Sequence, residues 1–428
     1  MKERLHLAMG EKIKLIREAK GMSQENIATA LNCSDALVSR MERGMSDIDD
    51  EKLTVIKKHL GIEDAPLLEQ ETNIFRSRLW VWYDLLRAGR KSDAKDMQKQ
   101  LSVILSLPYV SEISMLYDLI STIPLLEEGD ISQAEEKLDN IAQFVGDASD
   151  DVVHLFHRRK ARVYYVRHEY RKSLGHYMHA LDVKGDTIKD NASVYHGIGY
   201  CYYHMARPFD AIRYLELAKM HDSKEYLINV RTVSSIQLAT CYRVVGKYKE
   251  ARALHESTLA HAQSISHDTF VGATLNNLSR LCVSTGDFKE ALDYSEKSMK
   301  YLECNNIYFM HALSNKANAL LGLKEYAQCK EVAEQGRAMA IAEDSETWII
   351  SFETIWHSMN LSDNASTDYL ENVAIPHFIN RSGMDRYEAL DICNTLEAHY
   401  KRRKLNKKVL AITATSRDLY KEMIMGNE

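Results

Sequence analysis

The sequence predicts an all-α protein, a small N-terminal helical module followed by a long array of helix pairs. Three observations lead there. Glycine and proline are sparse, at 18 and 5 of 428 residues. Apolar residues follow helical periodicity from end to end, and nothing reads as a β-hairpin or a βαβ unit. A turn-then-aromatic-then-small pattern also recurs about every 39 residues through most of the chain.

The bulk composition is that of a folded chain, with 45% apolar and 27% charged residues. A chain of 428 residues needs several cores or a repeat array. No apolar run approaches the roughly 18–20 residues that span a bilayer. The N-terminal MKERLHLAMGEKIKLIREAKG lacks the apolar stretch of a signal peptide, so a cytoplasmic protein with no membrane partner is expected. The seven cysteines (Cys33, Cys201, Cys241, Cys282, Cys304, Cys329 and Cys393) are scattered and form no C-x2-C pair. They read as reduced thiols. His154 and His157, like His176 and His179, are three residues apart, but no carboxylate-plus-histidine set accompanies them, so neither a metal nor a cofactor is expected. No P-loop, nucleophile elbow, zinc motif or dinucleotide fingerprint occurs, and the chain does not read as an enzyme.

The elements of the first 62 residues follow in order. Ile13, Ile16 and Ala19 form one apolar stripe, and Gly21 ends that helix. Ser23 caps a second helix carrying Ile27, Ala28 and Leu31. A tight turn at Asn32 and Cys33 leads to Ser34, which caps a third helix with Leu37, Val38 and Met41 inward. A fourth runs from about Asp50 to Leu60 and stops at Gly61. Two short helices joined by a tight turn, the second with a polar outer face, form a helix-turn-helix. Net charge is −6 overall, but the first 62 residues carry +1 and the remainder −7. A near-neutral module still binds DNA when its cations share a face, because counterion release depends on local phosphate contacts.

The string GMSQENIATALNCSDALVSRMERG resembles the Cro/repressor (XRE-type) helix-turn-helix, most specifically in the ordered run Gln24, Ala28, Ser34, Val38, Ser39, Glu42, Gly44. The resemblance implies that Gln24 contacts backbone phosphate and that Ser34, Asp35, Ala36, Ser39 and Arg40 face the major groove, with Arg43 beside them. Helix N-termini attract phosphate and arginine reads guanine in bidentate fashion, which agrees with that assignment. Asp35 departs from it by adding a negative charge, either to accept from cytosine N4 or to cap the helix.

Residues 63–72 read as a linker broken by Pro66, and residues 73–428 as the repeat domain. The repeat's key residues are Ile131, Tyr170, Phe209, Tyr248, Phe288 and Tyr326, spaced 39, 39, 39, 40 and 38 residues apart. Extension reaches Lys91 backward and Ala365 and Leu405 forward, giving about nine helix pairs with the eighth poorly matched. Small residues at Gly199, Ala239 and Ala317 let the two helices of a pair approach. The pattern resembles the tetratricopeptide repeat, lengthened from its usual period of about 34 residues. Such pairs stack into a right-handed superhelix whose concave wall is lined by the first (A) helix of each pair.

Inward A-helix positions read Arg158, Arg159, Arg162 and Tyr165, then His196, Tyr200 and Tyr203, then Gln237, Thr240 and Arg243. Asn276, Asn277 and Arg280 follow, then Ser314, Asn315 and Asn318. Amides both donate and accept, so a ladder of them holds a peptide backbone without reading its side chains. Arg158, Arg162, Arg243 and Arg280 suit a carboxylate. The expected peptide site is therefore Arg158, Arg162, Tyr200, Gln237, Arg243, Asn276, Asn277, Arg280, Asn315 and Asn318.

An XRE-type module joined to about nine long repeats resembles the RRNPP family, the peptide pheromone receptors of Gram-positive bacteria that include Rap, Rgg, NprR, PlcR and PrgX. In layout it is nearest to NprR-like members. The resemblance implies a homodimer or higher oligomer that binds a double-stranded DNA operator and a short linear signalling peptide, the peptide controlling DNA binding. The alternative it implies is a Rap-like regulator that binds or dephosphorylates a phosphotransfer or response-regulator protein.

Overall fold

The computed structural model describes residues 10, 13, 14, 17, 18, 21–60, 67–101, 112–183, 191–221, 228–303, 307–381 and 383–425. Among the described residues the regular structure is helical throughout, with no strand. Two compact units form, Met1–Arg167 with His179–Ile188, and His168–Met178 with Lys189–Glu428. Ile16, Ala19, Gly61, Pro66 and Cys304, singled out above, lie outside the described residues.

The first unit opens with the helix-turn-helix. Ile13 is helical and buried, and Gly21 ends its segment with φ +68°. Helix α1 (Gln24–Leu31) has Ser23 as N-cap, its Oγ accepting from the Asn26 N–H while the Asn26 side chain accepts from the Ser23 N–H. Asn32, left-handed at φ 49°, ends α1. Helix α2 (Asp35–Glu42) begins after Ser34 as expected, but Ser34 makes no side-chain cap bond. Asp49, which the sequence reading passed over, caps α3 (Asp50–His59) by accepting from the Lys52 N–H at 2.8 Å. Ile13, Ile27, Ala28, Val38, Ile56 and Leu60 form the core of this module.

The repeat array continues the unit with α4 (Leu67–Arg87), so residues 67–72 are helical where a linker was expected. Then come α5 (Lys91–Leu101), α6 (Glu112–Glu127), α7 (Ile131–Ala142), α8 (Asp150–Val166) and α9 (Tyr170–Asp182), the last divided between the units. Leu79 and Trp82 of α4 are fully buried, with Trp82 5.2 Å from the Tyr117 ring. Burial of side chains this size contributes about 1.5–3 kcal/mol each.

The second unit carries α10 (Asn191–His204), α11 (Pro208–His221), α12 (Ile228–Val244), α13 (Tyr248–Ser264), α14 (Asp268–Thr285), α15 (Phe288–Met299), α16 (Ile307–Leu323), α17 (Tyr326–Ala342) and α18 (Glu346–Met359). Next is α19 (Asn364–Tyr369), a π turn at Leu370–Ala374 and α20 (Ile375–Ile379). The chain closes with α21 (Arg386–Arg402) and α22 (Asn406–Met425).

The 39-residue period has a backbone cause. Gly89, Gly129, His168, Ala206, Gly246, Gly286, Lys324 and Lys404 all have positive φ, from 56 to 84°. Each lies two residues before the start of a B helix, the second of its pair. One left-handed residue lets the A helix end and the chain reverse, as where the Lys247 N–H returns to the Tyr242 carbonyl at 2.8 Å. The aromatic keys therefore mark the first residues of B helices and not the core, and Phe209 keeps 58% of its surface exposed. The eighth pair lacks this turn, and its B helix is broken by the π turn before Pro376. That irregularity explains its poor match. Gly199 fills its expected role, since a Cβ there would fall 2.7 Å from Leu215 Cγ.

Candidate nucleic-acid interface and ligand groove

The helix-turn-helix is held by a buried acid. Glu42, 2% exposed, accepts from Arg17 Nε at 2.6 Å, from the Arg17 NH2 group at 3.0 Å and from Gln24 Nε2 at 2.7 Å. The remaining Arg17 terminus donates to the Met22 carbonyl at 2.7 Å. Gln24 therefore sits at the N-terminus of α1, where phosphate is favoured, with its amide oriented by Glu42. Sequence reasoning placed Gln24 and missed Arg17, whose partner is 25 residues away.

On α2, Ser34, Asp35, Ala36, Arg40 and Arg43 are exposed and Ser39 is half-buried. Ser34 occupies the N-cap position and Asp35 the first helical turn, where the helix dipole favours its negative charge. Arg43 Nε donates to the Ser39 carbonyl at 3.1 Å, which fixes its base and leaves the rest of the guanidinium outward. The module is tied to the first long helix, within the same unit, by Ile74 packing on its core and by Arg78 reaching Glu18 at 3.6 Å.

The expected groove positions fall into two sets. In the first unit Arg158 donates to the Tyr83 hydroxyl, and both Arg158 and Arg87 lie over the Tyr83 ring at 5.7 and 5.4 Å. Arg162 is exposed, 4.9 Å over Tyr165. Arg159 is instead buried, donating to Thr122 Oγ1 at 2.8 Å.

In the second unit Tyr200 stands among His196 and His204, with ring centroids 5.2 and 5.1 Å away. His204, stacked on Tyr170 at 4.7 Å, has its pKa pushed down to about 4 by burial and then by nearby His168. The four asparagines divide. Asn276 and Asn315 are buried and join neighbouring A helices, Asn276 donating to the Tyr308 carbonyl at 2.6 Å and Asn315 to the Asn276 carbonyl at 3.0 Å. Asn277 and Asn318 are half-buried and bond back to the Ala273 and Ser314 carbonyls of their own helices at 2.8 and 2.9 Å. Thr240 donates to Asn277 Oδ1 at 3.3 Å. Gln237 Oε1 and Asn276 Oδ1, both buried, have no donor among the described residues.

Arg243 donates to Ser284 Oγ at 3.3 Å, and Arg280 donates to Glu388 and, at 3.1 Å, to Asp391. Burial, and then the neighbouring Arg280, press the Arg243 pKa downward, while Asp391 and Glu388 oppose them. The acidic partners come from α21, whose approach the sequence reading missed. Met384, just before α21, and Tyr387 pack with Leu215, Leu238 and Cys241. The separation of 108 residues between Arg280 and Glu388 leaves no local signal for that contact. No group of three or more potential metal ligands occurs among the described residues, and no described helix is long and apolar enough to cross a membrane.

A helix-turn-helix family matches residues 13–67, and a tetratricopeptide repeat family matches residues 231–303. No curated protein matches the chain. Among solved structures, a Rap protein complexed with Competence and Sporulation Factor aligns with TM-score 0.64 at 15% identity, covering 82% of this chain and 99% of that one. The apo form of the quorum sensor NprR from B. thuringiensis aligns with TM-score 0.64 at 17% identity, covering 81% and 98%. NprR in complex with its cognate peptide NprX aligns with TM-score 0.59 at 18% identity, covering 81% and 99%. The fold is thus a helix-turn-helix and tetratricopeptide-repeat architecture, and over about four fifths of the chain it is the fold of these Rap and NprR structures.

Proposed function

We propose that this chain is a peptide-responsive transcription regulator of the RRNPP type, in which a short linear peptide bound along the A helices controls operator binding by the helix-turn-helix. One observation carries the reading. A helix-turn-helix with exposed Arg40 and Arg43 is followed in the same chain by repeats whose A helices carry arginines and amides, on a fold whose solved examples include NprR with a cognate peptide. Asn277 and Asn318 are half-buried on successive A helices and keep part of their amide surface open to solvent. A half-exposed amide offers both a donor and an acceptor, as the alternating N–H and C=O groups of an extended backbone require.

Control follows from linkage. A peptide that prefers one arrangement of the repeats shifts the population toward it by no more than its differential affinity. In a homodimer the paired modules then match, or fail to match, half-sites about 34–36 Å apart. The Arg78–Glu18 contact and the Ile74 packing give the repeats a physical hold on the DNA-binding module.

The test is the variant Asn277→Ala with Asn318→Ala, measured by fluorescence anisotropy on an operator selected from random DNA. The expected result is unchanged operator affinity in the absence of peptide and loss of the response to peptide. An unaltered response removes these amides from the ligand site.

A further inference from the structure

Arg243 and Arg280 stand 37 positions apart on adjacent A helices, about one repeat, and each reaches beyond its own helix. Two guanidinium groups so arranged form an anion subsite, since their forked donors fit carboxylate oxygens. In this structure the anions facing them belong to the chain itself. Glu388 and Asp391 present two carboxylates from one face of α21, three residues apart.

The pair is well placed to exchange. Arg280 is held at 16% exposure, whereas Glu388 and Asp391 keep 39% and 58% of their side-chain surface. The arginine is fixed and largely buried while both carboxylates reach water, so another anion can approach the guanidinium from the side on which the acids turn away. Helix α21 does not depend on the ion pair. Ala389, Leu390, Ile392, Cys393, Leu396 and Tyr400 are buried in the C-terminal apolar cluster, so the carboxylates can turn away while the helix stays seated.

We propose that Glu388 and Asp391 are a built-in occupant of an anion subsite formed by Arg243 and Arg280, and that this subsite takes a carboxylate of an acidic linear peptide, which must displace them. The proposal rests on the peptide-receptor reading above and adds the charge class of the ligand and a threshold for its binding. A peptide without a carboxylate at that point meets an already neutralised pair of arginines. A peptide with one gains contacts that strengthen only as the internal pair lets go, so the wild-type chain answers to a higher concentration than the groove alone requires.

The experiment uses the full chain and an equimolar pool of synthetic linear heptapeptides, offered with free or amidated C-termini and read by affinity selection and mass spectrometry. Wild-type protein is expected to enrich carboxylate-rich peptides. Glu388→Gln with Asp391→Asn should enrich the same peptides with affinity roughly ten-fold higher. Arg280→Ala should lose the acid preference, while Arg280→Lys, which keeps the charge, should retain part of it. If wild-type protein enriches no peptide, the receptor reading itself fails. If peptides are enriched without acid preference, or if the Gln/Asn variant binds them as wild type does, the receptor reading stands and the internal-occupant proposal is overturned. A clamp serving only to fix α21 would give that last result.

Discussion

Loss of the Glu42 carboxylate should open the helix-turn-helix, because it is the buried acceptor that joins Arg17 and Gln24. The Glu42 side chain is 1% exposed and receives three hydrogen bonds, two from Arg17 and one from Gln24. Glu42→Ala leaves the Arg17 guanidinium, 7% exposed, charged in a site built to neutralise it. Breaking a buried pair from one side costs about 3–5 kcal/mol. Losing the Gln24 bond, which is charge-assisted, adds about 1.5–3 kcal/mol on the scale of single bonds, although the two overlap. Replacing both partners, Arg17→Met with Glu42→Leu, removes the unpaired charge and should cost markedly less than Glu42→Ala. Hydrogen–deuterium exchange of the α1 and α2 amides reads the local opening free energy without requiring the whole chain to unfold. The double-mutant cycle should show coupling of at least about 2 kcal/mol. Coupling below about 0.5 kcal/mol would refute the argument, because it would mean that Arg17 finds water or another acceptor as readily as Glu42.

His255 lies fully buried on α13 with no partner for either ring nitrogen among the described residues, and burial, then the neighbouring Arg243, push its pKa down to about 3. The unfolded chain takes up that proton near pH 6.5 and the folded chain does not, so stability is full above about 6.5 and falls by about 1.4 kcal/mol per pH unit below it. Urea titrations from pH 7 to 5 should show a shallower loss for His255→Leu, by about 2 kcal/mol at pH 5, and parallel curves would contradict the assignment. Lys324 holds φ +65° at the end of α16 while exposed to water, so Lys324→Gly should raise the thermal midpoint, equivalent to about 0.5–1 kcal/mol; a lowered midpoint would show that the lysine side chain matters there. Asn315→Ala removes the bond to the Asn276 carbonyl and should destabilise the chain by about 1–3 kcal/mol in urea unfolding, unlike the half-buried Asn318.

Most of the fold was legible because its causes are local. Each A-to-B turn carries a left-handed residue two positions before the B helix, and half of these are glycines that the eye finds. His168, Ala206, Lys324 and Lys404 hide the same geometry, so the aromatic next to the turn served as the marker in their place. Where the turn is missing, between α18 and α19, the pattern faded. The helix-turn-helix was readable for the same reason, apart from Asp49 and Arg17, since a cap needs its φ and ψ to be recognised and a buried pair needs its partner.

The groove was less legible. Helical phase put Asn276 and Asn277 together on one wall, but only packing decides that Asn276 is buried against Tyr308 while Asn277 is half-exposed. Arg159 was expected inward with Arg158 and Arg162, and one step of helix rotation buries it against Thr122 instead. The acids opposite Arg280 come from a helix 108 residues later, a distance over which no periodicity carries information.

The central claim is that peptide occupancy and operator binding are linked through this one chain. Its most direct measurement is the dissociation constant of the full-length protein for its selected operator, with and without saturating peptide recovered from the heptapeptide pool. Linkage predicts a change of about five-fold or more, with an equal change in peptide affinity when operator is saturating. Two affinities that do not alter one another would contradict the account, however tightly each ligand binds.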